Sequence, residues 1–60
     1  MIKLYVYSKQ SRLLRYEDAG LAKFVIADIP DDCDFTLTPC PLDGNRYKWN
    51  DSEWVKVETN

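Results

Sequence analysis

A chain of 60 residues has room for one small core, because the share of surface that folding buries falls with chain length. Each large apolar side chain taken out of water contributes about 1.5 to 3 kcal/mol, and each ordered residue costs about 1 to 2 kcal/mol of backbone entropy. One domain over residues 1–60 is therefore expected, with a small net stability that a partner or a second copy could raise. The core material is aromatic: the chain holds two Trp, four Tyr and two Phe. With 45% hydrophobic residues, wholesale disorder is excluded.

Hydrophobic spacing points to short strands. Ile2, Leu4 and Val6 alternate with Lys3, Tyr5 and Tyr7, the period-two signature of a strand with one aliphatic and one aromatic face. Ser8 to Ser11 reads as a turn, and Arg12 to Tyr16 as the returning strand of a hairpin. A competing reading makes residues 11–19 a short amphipathic helix, since Leu13, Leu14, Glu17 and Leu21 also fit helical spacing. Gly20 ends either element. Lys23 to Ile29 is then a β-branched and aromatic run that reads as a mostly buried strand, stopped by Pro30.

Asp31 to Asp34 reads as a loop, and Phe35 to Thr38 as a short strand closed by Pro39 and Pro41, which with Leu42 suggest polyproline-like edge structure. Asp43, Gly44 and Asn45 supply a tight turn into Arg46 to Asn50. A second turn at Asn50 to Ser52 leads into a last strand, Glu53 to Glu58. The fold class that follows is all-β, a small antiparallel meander of five or six short strands, with α+β as the alternative if residues 11–19 are helical.

Chemistry is constrained by what is missing. With no His, the commonest general base, the commonest metal ligand and the Ser and Cys triads are all unavailable. Two Cys cannot close a zinc site within one chain, and Gly20 and Gly44 stand alone, so no phosphate-cradling loop is expected. The carboxylate pairs Asp31 with Asp32 and Asp43 with Asp51 could do acid–base work or hold Ca²⁺. They sit in loops of a chain too short to enclose a water-free pocket, so no catalytic residue, cofactor or metal is assigned.

The formal net charge of −2 gives no basic surface for nucleic acid. No apolar stretch approaches the roughly 20 residues needed to span a bilayer, and Met1 to Tyr7 lacks the hydrophobic region of a leader. Synthesis in the cytoplasm, with reduced thiols, is expected. Spacing leaves open whether Cys33 and Cys40 pair.

What remains is binding. Tyr5, Tyr7, Tyr47, Trp49 and Trp54 are the candidate partner-binding residues, because exposed Trp and Tyr anchor protein and sugar contacts. The same rings could equally form core. If Trp49 lies opposite Trp54 in the terminal hairpin the two share a face, and a one-residue slip would set Val55 and Val57 there instead. Asp28, Asp31, Asp32 and Asp34 form a second candidate, an acidic patch for a basic partner. An open sheet edge leaves room for self-association.

The run Ile29-Pro30-Asp31-Asp32-Cys33-Asp34-Phe35-Thr36-Leu37-Thr38-Pro39-Cys40-Pro41, followed by Tyr47-Lys48-Trp49-Asn50-Asp51-Ser52-Glu53-Trp54-Val55, resembles small modules of the tail fibre and tail fibre assembly proteins of tailed bacteriophages. There a Thr-x-x-Pro-Pro step precedes Trp-Asn-Gly-x-x-Trp. Tyr5-Val6-Tyr7-Ser8 looks like the first strand of those modules. Here Cys40 interrupts the Pro-Pro pair and Asp51 stands where the turn Gly would be. The resemblance implies a phage or prophage protein without activity or cofactor, made in the bacterial host cytoplasm and carried into the virion if it stays with the tail. Its partner would be a phage tail component. Two other readings compete: an acidic inhibitor of a host enzyme, and a carbohydrate-binding module using Trp49 and Trp54.

Overall fold

The structure is a computed structural model that describes residues 1–41 and 43–57. Five short strands and one helix follow in the order β1 (Ile2–Ser8), β2 (Leu14–Gly20), α1 (Ala22–Ala27), β3 (Cys33–Thr36), β4 (Tyr47–Trp49) and β5 (Trp54–Lys56). They form a three-stranded antiparallel sheet in the order β2-β1-β3 and a two-stranded sheet β4-β5. The small antiparallel β fold is thus as expected, with α1 added. The expected strand at Glu53 to Glu58 is shorter, and Glu58, like Leu42, lies outside the described residues.

β1 is the central strand, and its alternation decides the architecture. Leu4 and Val6 are fully buried on one face, where Val25 and Cys33 join them and Ile2, Ile29 and Phe35 pack at the margin. Tyr5 and Tyr7 are buried on the other face. Four consecutive buried residues therefore follow from a strand covered on both sides.

The order β2-β1-β3 corrects the meander reading. β3 pairs with β1, with Val6 opposite Phe35, and not with its chain predecessor. Since β2 and β3 both run antiparallel to β1, they are parallel to each other, and the link between them must travel back along the sheet. This explains the second correction: the run read as a strand over Lys23 to Ile29 is helical over Ala22–Ala27. A helix rises 1.5 Å per residue and can cross the aliphatic face, dropping Val25 and, one turn on, Ile29 into the core.

Gly20 lets α1 pack close, because a Cβ at that position would stand 3.2 Å from Val25 Cγ1, a tight contact that Val25 would have to ease by a few tenths of an ångström. Pro30 follows the helix, and its carbonyl accepts from Cys33 N–H at 3.0 Å. The alternative helix over residues 11–19 is also overturned: Leu14–Gly20 is strand. The turn before it is closed by Arg12 N–H to Ser8 O at 2.8 Å and by Ser8 N–H to Leu13 O at 3.0 Å.

The register of β2 slips between Val6, opposite Tyr16, and Tyr7, opposite Leu14, which leaves Arg15 as the extra residue of a β-bulge. Among the described residues a single antiparallel bridge, Leu13 to Lys48, and a bond from Trp49 N–H to Arg12 O at 2.9 Å attach the β4-β5 hairpin to the first sheet.

Candidate functional site

The terminal hairpin settles in the register that pairs Trp49 with Trp54. Its turn is made by Asn50, whose Oδ1 accepts the N–H of Ser52 at 2.9 Å and of Glu53 at 2.7 Å, and by Asp51 at φ 76°. Positive φ is where Gly is at ease and Asp is tolerated.

Pairing the two rings places them against Tyr7. Tyr7 and Trp49 have centroids 6.2 Å apart, Tyr7 and Trp54 6.1 Å in an edge-on arrangement, and the two indoles 5.2 Å. Tyr5, Tyr7 and Trp49 are buried, and Trp54 is half-buried with its indole N–H donating to Thr38 O at 2.9 Å. Tyr47 is half-buried and donates its hydroxyl to Asp43 Oδ2 at 3.0 Å.

Tyr7, Trp49 and Trp54, expected at a docking surface, thus form a second cluster on the far face of β1, with Tyr5 also buried and Tyr47 half-buried. The reason is geometric: with the aliphatic face occupied by α1, the two hairpin indoles close over Tyr7 on the other face. Burial pushes the Tyr7 phenol above its ordinary pKa, and the negative charge of Asp34 adds to the rise.

Arg12 locks this arrangement. It adopts φ 68°, its Nε donates to Trp49 O at 3.1 Å, and its guanidinium pairs with Asp51 and lies 5.0 Å from the Tyr7 ring centroid. One side chain therefore ties the β1–β2 turn, the hairpin turn and the aromatic cluster together.

Cys33 and Cys40 are both buried and free. Burial raises each thiol's pKa; next come the Asp32 side chain, hydrogen-bonded and charged, for Cys33, and the charge of Asp43 for Cys40. Among the described residues no three metal-ligating side chains converge, and no helix is long and apolar enough to cross a membrane.

Exposed apolar side chains include Val55 on β5 and Leu37, and a group of three at α1. On α1 only Val25 is buried, so Phe24 and Ile26 stand 58% and 42% exposed, and Leu21 just before the helix is 54% exposed. Beside them runs a groove of about 440 Å³ between the end of α1 and β3, with Ile26, Ile29, Pro30 and Phe35 as apolar lining and Lys9, Asp31 and Asp34 among its polar residues. Asp28, Asp31, Asp32 and Asp34 are all exposed, so the acidic patch and the apolar groove adjoin.

The sequence signal for Leu21, Phe24 and Ile26 was their hydrophobicity, which a strand reading assigns to a core. A six-residue helix has one inward face, and the rest of the run is left outside. Comparison of the chain with protein-family models, with curated proteins and with solved structures finds no match.

Proposed function

We propose that the chain is a non-catalytic module that docks another protein through the outer face of α1 and the groove beside it. The observation that carries this reading is the exposure of Leu21, Phe24 and Ile26 at one short element. Phe24 and Ile26 flank the outward side of the helix, and exposed apolar side chains beside an apolar groove are a usual mark of a docking site. The resemblance in the terminal half supplies the setting, a tail-associated structural or assembly factor of a phage or prophage, with a tail component as the partner.

Co-purification tests this with tail proteins encoded beside the chain as bait. Retention of one of them by the native chain, and its loss with Phe24→Ser plus Ile26→Ser in a folded variant, supports the reading. Undiminished retention by the variant overturns the surface, and retention of no tail protein overturns the setting.

A second reading, inhibition of a host enzyme, draws support from the exposed Asp28, Asp31, Asp32 and Asp34. An acidic mimic loses affinity steeply above about 0.15 M salt, whereas an apolar docking face does not. The glycan reading has less to rest on, since a stacking platform needs exposed rings and Trp49 is buried.

A further inference from the structure

A separate opening lies between the two sheets. Leu13 and Lys48 form the only bridge from the first sheet to β4 among the described residues, and Trp49 N–H to Arg12 O continues the same antiparallel register. Carried two residues the other way, that register would set Arg15 directly opposite Arg46. The strands part before reaching it, and the gap is a cleft of about 390 Å³ that includes both arginines, Ser8, Ser11, Leu13 and Leu14 in its lining. Like charges facing each other across a strand pair are unfavourable, and among the described residues neither guanidinium has an ion-pair partner.

The bulge is what turns Arg15 to this place. It is the residue left over where the register slips between Val6 and Tyr7, and bulges commonly re-aim a side chain at a site. The hydroxyls on the wall are set as donors. Ser8 Oγ already accepts the N–H of Gln10 at 3.2 Å and of Ser11 at 3.3 Å, and Ser11 Oγ accepts that of Leu13 at 3.3 Å. Ser8 Oγ thus has both lone pairs used and Ser11 Oγ one, and each hydroxyl keeps a hydrogen to give. Asp43, the acid beside the cleft residues Asn45 and Tyr47, has both oxygens occupied: Oδ1 accepts from Asn45 N–H and its side-chain amide, and Oδ2 from Tyr47.

The geometry points to an anion-binding cleft that takes a small organic oxyanion, a carboxylate or phosphate ester, between Arg15 and Arg46. Guanidinium forks match the oxygens of either group, and Leu13 and Leu14 offer contact to an apolar body that a bare inorganic ion lacks. This site is independent of the α1 docking face.

The test is an NMR titration of the full chain at fixed ionic strength with benzoate, phenyl phosphate and inorganic phosphate, following the arginine Nε–H and backbone signals. Saturable shifts at Arg15, Arg46 and Ser11 are expected with one of the aromatic acids. Whichever of the two binds more tightly identifies the group as carboxylate or phosphoryl. Arg15→Gln and Arg46→Gln should each weaken that binding about tenfold, the effect of losing one charge-assisted hydrogen bond. Both positions are exposed, so both variants should keep the native spectrum. Absence of saturable shifts with all three probes, or binding by either variant as tight as by the native chain, overturns the site. Inorganic phosphate binding as tightly as the aromatic acids overturns the organic class.

Discussion

Arg12 is the residue on which the two sheets depend. Its backbone and side chain together bond Trp49, its guanidinium reaches Asp51, and its charge lies against Tyr7. The ion pair is exposed at the Asp51 end and contributes little by itself. The part-buried bond to Trp49 O and the contact with the Tyr7 face carry more, so Arg12→Ala should lower stability by about 2 kcal/mol, measured as a fall in the urea midpoint with unchanged slope. Arg12→Lys should recover only part of this, because a lysine cannot serve Trp49 O and Asp51 with one planar fork. A lysine variant as stable as the native chain would contradict that role. Nothing in the sequence marked Arg12 out, since its partners lie far along the chain and only the fold brings them together.

Elements were legible where their causes are local. The β1 alternation, the stop at Gly20 and the Trp49–Trp54 hairpin follow from side-chain period and turn residues within a few positions. The helix did not, because α1 answers a demand of the whole sheet: β3 must lie beside β1 and parallel to β2. The sheet edges show another device that depends on register. Lys9 N–H bonds Asp32 O at 2.9 Å, so by alternation the N–H groups of Cys33 and Phe35 face the open edge of β3.

Neither outward N–H is free, since Cys33 bonds Pro30 O at 3.0 Å and Phe35 bonds Asp34 Oδ1 at 2.8 Å. On the β2 edge the N–H of Ala19 is likewise taken by Asp18 Oδ1 at 2.8 Å. Inward-folded charges of this kind discourage edge-to-edge pairing. Replacing both Asp18 and Asp34 by Ala should therefore raise self-association, seen as a concentration-dependent mass in sedimentation, while the native chain stays monomeric under the same conditions. No change in mass would remove the carboxylates from that role.

At the scale of the molecule, the described residues extend 38 × 22 × 19 Å with a radius of gyration of 11.5 Å, against about 10.4 Å for a compact chain of this length. The elongation reflects two small cores on opposite faces of β1 in place of one, and it fits a marginal stability. Burial raises the pKa of Tyr7, Cys33 and Cys40, and the Asp43 hydrogen bond raises that of Tyr47. Each group holds its proton more firmly folded than unfolded. Their contribution is complete below the ordinary thiol and phenol values of 9.0 and 10.0, and is lost as pH rises through the folded values. Urea midpoints should thus fall above about pH 9, and Tyr7→Phe should flatten the fall. Asp43, lowered first by the Asn45 backbone N–H and then by Tyr47, acts at the other end, its contribution disappearing as pH falls below the usual carboxylate range.

The central claim is a division of labour: the aromatic residues hold the fold, and the outer face of α1 is left for a partner. Urea unfolding of Trp49→Ala beside Phe24→Ser tests it most directly. Trp49 is 8% exposed and Phe24 58%, so the first variant should lose about 3 to 5 kcal/mol and the second no more than about 0.5 kcal/mol. A stable Trp49→Ala variant together with an unfolded Phe24→Ser variant would contradict the account.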